Sequence, residues 1–425
     1  MECRNSNFCL FDKQAVQTDV LGYQIVDYHP RTAENSGPIE FLIPASSEDY
    51  IDLSYAMLDM RFKILQADGS AITPKHKVGL NNLPLATMFR DVTLSINDQQ
   101  VEGGQQNYPY KAYFDTMTQF HPAAQNSHMQ AFGWYKDEAG KFDDETNAGF
   151  VKRSKLIKDS RVCQLYGPLH LDFFNQSRYL LTNTSMRLKL TLNKPEFLLN
   201  AYGDPATFKI HVVDITFFLQ RVKANPSVIE GHMKGLNSHN ALYPVHHRTI
   251  ESFTIPKDHK SFMKDGLYPS QAPKVVFVAM ADNKTVNGDL KRNPFHFKHN
   301  NLREIALRVD GNSHPGPPYT PDFDGKMFGR SYVDLMNALG YFNKDDTNGL
   351  TMKEFANGYT LYAFDLTSDN NISASYRQAK TPHSIRLDLE FNTPLTETVN
   401  VLIYAVFESL VEITKLRDLI LHYNR

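Results

Sequence analysis

The sequence has 425 residues, with 45 Lys and Arg against 47 Asp and Glu, and 12% of its residues are aromatic. A chain of this length exceeds what one hydrophobic core fills, so we expect at least two domains. The near-neutral charge argues against a dedicated nucleic-acid-binding protein, in which phosphate contacts require an excess of basic residues.

The first 36 residues predict an arm rather than a domain. They are polar with isolated apolar side chains such as Leu21 and Ile25, and such a segment cannot build its own core. We therefore expect residues 1–36 to lie along another surface. Residues 1–13 lack the apolar core of a signal peptide. The longest obvious apolar run, 275–281, is far shorter than the ~20 residues that span a bilayer, so we expect no transmembrane segment.

Alternating strands begin at residue 39. In 39–43, 58–64 and 92–96, apolar residues alternate with others, and this period of two indicates antiparallel sheets with one buried face. Further strand candidates are 186–192, 208–222, 275–281, 303–309, 359–365, 385–391 and 399–407. Helical patterns are few, at 110–120, 332–339 and 411–421. Many short strands separated by turns predict an all-β protein built from sandwiches.

The two halves of the sequence echo each other. A strand ending at Asn97 precedes the helical pattern YKAYFDTM from Tyr110, and a strand ending at Asp310 precedes YVDLMNAL from Tyr332. The following segments correspond in the same order: 169–172 with 362–365, 186–192 with 385–391, and 209–215 with 400–406. One fold used twice is the simplest account of this order.

Residues 223–245 contain Asn225-Pro226 and Tyr243-Pro244 and lack strand alternation, so they predict the linker between the halves. The expected division is an N-terminal arm (1–36), a first sandwich (37–222), the linker (223–245), a second sandwich (246–410) and a C-terminal tail helix (411–425). Apolar residues at helical spacing in the tail, among them Leu416 and Ile420, form a stripe. We expect this stripe to dock on a neighbouring subunit or on its own sandwich.

His170-Leu171-Asp172 is the strongest candidate for a metal site. A His-x-Asp pair with a distant His on a β-sandwich is the ligand set of non-haem iron oxygenases. The internal echo places Asp172 opposite Asp365 but His170 opposite Ala363. We therefore interpret Asp172 as a turn or strand-end residue that binds local backbone N–H groups.

Other candidate sites are weaker. His246 and His247 point to opposite faces of a strand, so they do not easily share one ion, and we expect surface residues there. The loop KDDTNGLTMKEF (344–355) mimics a calcium loop but has Lys344 and Phe355 at the positions that need acids. Nucleotide-binding and hydrolase motifs are absent from the sequence. We expect a non-enzymatic protein with no catalytic, cofactor-binding or metal-binding residues.

The basic residues, the cysteines and the glycosylation sequons do not indicate functional sites. The basic residues Lys152, Arg153, Lys155 and Lys158 predict a solvated loop. The three cysteines, Cys3, Cys9 and Cys163, are too few and scattered for a disulfide framework or zinc site, which suits a reducing compartment. The glycosylation sequons at Asn175, Asn183, Asn283 and Asn371 are then chance matches.

Short motifs in a fixed order carry a family resemblance. They are IEFLIP (39–44), YIDL (50–53), VGLNN (78–82), LSIN (94–97), YPYKAY (108–113), GPLHLDF (167–173), NPFHF (293–297), VDG (309–311), GYTLYAFDLT (358–367) and the segment 401–412. In this order the chain resembles the double jelly-roll major capsid protein of Polinton (Maverick) and adintovirus-like elements. The resemblance runs from about residue 38 to the end of the chain.

The resemblance implies two tandem eight-stranded antiparallel jelly rolls. Three copies would form a pseudo-hexameric homotrimeric capsomer, and capsomers would tile an icosahedral shell around double-stranded DNA. A single jelly-roll penton protein would fill the vertices. The protein would be made in the host cytosol and reside in the virion. Sheet edges, which need partners, are satisfied by such a closed trimer.

Three alternatives remain at this stage. A carbohydrate-binding or adhesion sandwich predicts a saccharide site of exposed aromatics, and the single Trp counts against it. An iron oxygenase would use His170 and Asp172. A copy domesticated in a host genome would share every sequence feature of a viral one.

Overall fold

The computed structural model describes residues 16–367 and 383–423, except 33, 34, 36 and 105. Its first half holds eight principal strands: β1 (Val20–Tyr28), β2 (Ile39–Ile43), β3 (Asp49–Gln66), β5 (Phe89–Ile96), β6 (Gln99–Glu102), β7 (Cys163–Pro168), β8 (Met186–Leu192) and β10 (Phe208–Ala224). They form two four-stranded sheets in the orders β1-β10-β3-β7 and β2-β8-β5-β6. The short strands β4 (Val78–Leu80) and β9 (Leu199–Ala201) pair separately.

The second half repeats this arrangement with β11 (Ala241–Ile255), β12 (Ser261–Leu267), β13 (Val275–Asp282), β14 (Leu302–Val309), β15 (Asn312–Tyr319), β16 (Tyr362–Asp365), β17 (Ile385–Phe391) and β18 (Val399–Ile413). The sheet orders are β11-β18-β13-β16 and β12-β17-β14-β15. With the strands of each half numbered one to eight, both halves read 1-8-3-6 and 2-7-4-5. The predicted pair of tandem eight-stranded antiparallel jelly rolls is therefore confirmed.

Segments in which every second residue is apolar form strands that pack one face against the core. In β17, Ile385, Leu387 and Leu389 are buried and the residues between them are half-exposed. All eight residues of β13 are buried instead, because this strand lies between two others and is covered on both faces. Its continuous apolar run reflects that position.

Helices are short and lie mostly in loops. They are α1 (Pro84–Thr87), α2 (Tyr108–Gln119), α3 (Pro122–Gln125), α4 (Ala148–Ser154), α5 (Pro195–Leu198), α6 (Pro226–Gly235), α7 (Asn283–Asn287), α8 (Gly329–Ala338) and α9 (Met352–Ala356). The predicted helices at 110–120 and 332–339 are confirmed as α2 and α8. Each lies between the fifth and sixth strands of its jelly roll, as the echo indicated. In the described part of the chain, no helix is long and apolar enough to cross a membrane.

The predicted C-terminal tail helix, 411–425, is wrong. Strand β18 continues to Ile413, and Leu419–Leu421 forms a short strand, β19, that pairs with it. The apolar stripe was ambiguous because a short run can satisfy helical or strand spacing. The tail packs on its own chain: the Tyr423 ring stacks on His247 at 4.1 Å between centroids, and Arg417 Nε donates to the Thr182 carbonyl.

Two other expected boundaries differ from the structure. Residues 20–28, placed in the arm, form the first strand of the first jelly roll by pairing with β10; residues 1–15 of the arm lie outside the described residues. The predicted linker, 223–245, is mostly ordered: β10 ends at Ala224, α6 follows, and β11 begins at Ala241. Edge strands and short helices carry few buried residues, so their sequence signal is weak.

Candidate functional site

Helix α2 of the first jelly roll is buried against the second. Tyr113 stacks on Phe295 with ring centroids 4.0 Å apart. Phe114 stacks on Phe297 and on Tyr404, each at 5.3 Å. The three partners belong to the second jelly roll, so the two cores are continuous through α2. Aromatic contacts of this kind bind two domains into one body.

A cluster of acidic, basic and histidine side chains lies beside these rings, and we call it the junction cluster. It comprises Glu102, Lys111, Asp115, His170, Asp172, His247 and Arg248. Glu102 ends β6, Lys111 and Asp115 lie one turn apart on α2, and Asp172 follows β7. His247 and Arg248 come from β11 of the second jelly roll. The local fold of each half thus delivers its charges to one shared interface.

Asp172 is the centre of the junction cluster. Its Oδ1 accepts from Lys111 Nζ at 2.9 Å and from an Arg248 guanidinium nitrogen at 3.2 Å. Its Oδ2 accepts from the Arg248 backbone N–H at 2.7 Å. Burial acts to raise the pKa of Asp172, but Lys111, a hydrogen bond from His247 and Arg248 together hold it well below its usual range. Asp172 is therefore a buried carboxylate that joins both halves.

Asp115 has a similar environment. Tyr404 of the second jelly roll donates its phenolic O–H to Asp115, and Arg248 Nε lies 3.7 Å from the carboxylate. Burial opposes ionisation here as well, but Lys111, a hydrogen bond from His170 and Arg248 lower the pKa of Asp115 to about 2. Burial likewise acts to lower the pKa of Lys111, and the neighbouring carboxylates raise it above its ordinary value. The charges are mutually neutralised.

Glu102 is the exception in the junction cluster. Its Oε2 accepts from the backbone N–H of Asp172 at 2.7 Å, and its Oε1 lies 3.4 Å from Lys111 Nζ. Burial, and then the charge of Asp172, raise the pKa of Glu102 to about 7. Glu102 is thus the carboxyl of this cluster that titrates near neutral pH.

Replacing Glu102 with glutamine is expected to remove one pH dependence of stability. Between the ordinary carboxyl pKa and about 7, folded protein holds a proton that the unfolded chain releases. The stabilisation that Glu102 contributes to the folded wild type is therefore complete below the ordinary carboxyl pKa. It is lost as the pH rises from there to the raised pKa of the folded state. In urea titrations, the free energy of unfolding of Glu102→Gln should rise relative to that of the wild type by on the order of 3 kcal/mol between pH 4.5 and 8.

The exposed Glu230→Gln variant is the control for this titration, because Glu230 lies on the surface of α6 beside Lys234. Its stability difference from wild type should stay constant over the same pH range. An equally flat difference for Glu102→Gln would contradict the assigned titration.

The structure brings the predicted His170 and Asp172 together but assigns them another role. Lys111 and Arg248 occupy the approach to Asp172 that a metal ion would need. Among the described residues, no group of three His, Cys, Asp or Glu side chains is placed to hold a metal ion. The local-turn interpretation of Asp172 is wrong, since its partners are 61 and 76 residues away.

The expected equivalence of Asp172 with Asp365 is also wrong. Asp365 is the last residue of β16 and accepts from the N–H and hydroxyl of Thr367, which is the local role expected for both. Asp172 lies four residues beyond the end of β7. The echo was misaligned there because loop lengths differ between the halves.

The adjacent histidines face opposite ways, as predicted, but only His246 is exposed. His247 is buried, with Nδ1 3.5 Å from Asp172, so its expected surface position is wrong. Sequence spacing alone showed the alternation of faces. It did not show that one face of β11 is covered by the other jelly roll.

A second buried ion pair was missed by the sequence analysis. Arg153, predicted in a solvated basic loop, is buried on α4 and donates to Asp137 at 2.6 Å and to the Leu80 carbonyl at 2.7 Å. Asn293 and Tyr359 of the second jelly roll donate to the other Asp137 carboxylate oxygen and to its carbonyl. The prediction for Arg153 is therefore wrong; Lys152, Lys155 and Lys158 are exposed as expected.

The calcium-like loop 344–355 is a contact segment. Asn348 donates to the Met117 carbonyl at the end of α2 at 3.0 Å, and Asp346 lies 2.8 Å from His121. Both contacts join the second jelly roll to the first. Cys163 is buried, which raises its thiol pKa to about 11; Cys3, Cys9 and the sequon at Asn371 lie outside the described residues.

Comparison with known proteins gives one relative in sequence and several in structure. No protein-family model matches the chain. An uncharacterized protein of Caenorhabditis elegans, F54H12.2, is 26% identical over 397 residues, which cover 90% of this chain and 92% of the relative. This relationship extends over nearly the whole of both proteins.

The structural relatives are viral. A chain of the Sputnik virophage matches with a TM-score of 0.65 and 12% identity, covering 100% of this chain and 94% of that one. The mavirus major capsid protein matches with a TM-score of 0.59 and 12% identity, covering 98% and 93%. The Faustovirus major capsid protein matches with a TM-score of 0.57 and 8% identity, covering 95% and 92%. The chain therefore has the fold of double jelly-roll viral major capsid proteins.

Proposed function

We propose that this protein is a major capsid protein whose homotrimers form pseudo-hexameric capsomers. The observation that carries the proposal is the junction between two jelly rolls with the same strand order. They are fixed to each other through α2, the buried Asp172–Arg248 ion pair, and the hydrogen bonds that Asn293 and Tyr359 donate to Asp137. A shell needs such a rigid block, because errors in the angle between its halves would accumulate across the lattice. Full-length similarity to virophage and giant-virus capsid folds supports this reading.

The finer parts of the proposal follow from the same comparison. The capsomers would tile an icosahedral shell around double-stranded DNA, with a single jelly-roll penton protein at the vertices, and the protein would reside in the virion after synthesis in the host cytosol. The modest net charge of −2 fits a wall that encloses DNA without sequence-specific contacts. A Polinton-like element carried in an animal genome would account for a nematode relative.

We do not propose an enzyme or a saccharide-binding protein. The charged residues of the junction cluster are paired with one another across a buried interface. The single tryptophan, Trp134, is buried beside Tyr113, so it does not offer the exposed aromatic platform that a carbohydrate site needs.

The proposal predicts self-association of the purified chain. Sedimentation at micromolar concentration should give a mass three times the 48.6 kDa of one chain. Negative-stain electron microscopy should show particles with a hexagonal outline or closed shells. A folded monomer at the highest attainable concentration would contradict the proposal.

A further inference from the structure

Strand β1 carries an apolar stripe that the described residues of its own chain leave exposed. Tyr23 and Ile25 alternate along the strand, so their side chains lie on the same face, and they are 70% and 45% exposed. β1 is also the edge of its sheet. Exposed apolar residues on a sheet edge favour association with another chain.

The internal repeat identifies the counterpart of this stripe. β11 is the first strand of the second jelly roll, as β1 is of the first. Tyr23 pairs with Val222, the third residue from the end of β10. Tyr243 pairs with Val411, the third residue from the end of β18. Tyr23 and Tyr243 therefore occupy equivalent positions in the two jelly rolls.

The equivalent stripe on β11 is buried by the first jelly roll. Tyr243 is 3% exposed and packs on Phe173 with ring centroids 5.7 Å apart. Val245, the counterpart of Ile25 two residues further along, is 5% exposed. The stripe on β11 is thus covered by the first jelly roll, whereas the equivalent stripe on β1 is exposed.

Helix α8 of the second jelly roll is exposed at positions where its counterpart α2 is buried. The sequence echo aligns Lys111 of α2 with Val333 of α8, and Asp115 with Asn337. Lys111 is 7% exposed and lines a small cavity together with His247 of the second jelly roll, and Asp115 lies beside Arg248 there. Val333 is 40% exposed, and Asn337 is exposed too. The face of α8 that corresponds to the β11-binding face of α2 is therefore exposed among the described residues.

The two exposed faces correspond at one further position. Asp27 pairs with the seventh residue from the end of β10, as His247 does on β18, so these two are equivalent. Lys111 and His247 line one small cavity at the junction. By the same geometry, Val333 of one copy would approach Asp27 of another.

We infer that the α8 face (Val333 and Asn337) of one copy docks on the β1 stripe (Tyr23 and Ile25) of a second copy of this chain. This contact repeats, between copies, the junction that α2 and β11 make within each copy. The inference rests on the proposed capsomer. The contact is head-to-tail, and a ring of six jelly rolls in steps of about 60° closes after three chains.

Single charges on either face test the contact. Ile25→Asp and Val333→Asp should each shift the sedimenting species from three chains to one. Ile25→Asp would bury a carboxylate within the apolar stripe, and Val333→Asp would place a second carboxylate beside Asp27, whose own neighbour is His29 at 3.4 Å. Both side chains are exposed in the isolated chain, so circular dichroism and thermal unfolding of the monomer should not change. Met263→Asp, at an exposed position on β12, is the matched control and should remain trimeric.

A second substitution checks which residues meet. Adding Asp27→Lys to Val333→Asp in the same chain should restore the trimer, since each interface then holds an opposite pair. Trimers that persist in both single variants would overturn the docking mode and leave the proposed capsomer standing. A monomeric wild-type protein would overturn the proposed capsomer and the docking mode together.

Discussion

Replacing Asp172 with alanine is expected to lower the free energy of unfolding by about 3–5 kcal/mol, the usual cost of breaking a buried ion pair from one side. The substitution leaves Lys111 and Arg248 buried without the carboxylate that accepts three of their hydrogen bonds. Because these partners come from both jelly rolls, the loss should also separate unfolding into two transitions. Urea titration followed by fluorescence and circular dichroism measures both effects.

The matched control is Asp98→Asn, which removes a surface charge and keeps a residue type that tolerates the left-handed backbone at this turn (φ 63°). Asp98 pairs with Arg187 at 3.1 Å, but its side chain is 83% exposed. Surface pairs of this kind contribute little, so the control should unfold like wild type. If Asp172→Ala behaved as the control does, the junction cluster would not be what holds the halves together.

Replacing Phe114 with alanine should be comparably destabilising, by about 3–5 kcal/mol, because a large buried ring leaves a cavity that the core fills only in part. Phe114 is fully buried and stacks on Phe297 and Tyr404 of the other jelly roll. Differential scanning calorimetry should show a lower midpoint temperature of unfolding, and the two halves should no longer unfold in a single transition.

Phe342→Ala provides the comparison for this ring deletion. Phe342 is exposed in the loop after α8, and surface truncations usually stay within about 0.5 kcal/mol. A Phe114→Ala variant as stable as Phe342→Ala would mean that α2 does not join the two cores.

Much of the fold followed from local patterns in the sequence. Strands such as β17, with one buried and one half-exposed face, alternate strictly and were predicted. The echo between α2 and α8 was visible because each follows a similar hairpin. The tail was misassigned as a helix because residues around Leu416 satisfy more than one period. β1 was missed because an edge strand with an open face carries few buried residues.

The junction cluster could not be predicted in the same way. Lys111 and Asp172 are 61 residues apart, and Asp172 and Arg248 are 76 apart. No local spacing brings them together: the tertiary fold of the first jelly roll brings Lys111 to Asp172, and the packing of the second jelly roll on the first adds Arg248. His170-Leu171-Asp172 did mark the place, but its partners are the cations of α2 and β11. Buried Arg153 was hidden among exposed lysines for the same reason.

An asymmetric reconstruction of the purified assembly by cryo-electron microscopy tests the central claim most directly. The account predicts three chains and six similar lobes, with the α2–β11 junction alternating with an α8–β1 contact around the ring. A particle in which the two jelly rolls of one chain lie apart, or in which chains meet through other faces without closing a ring, would contradict it.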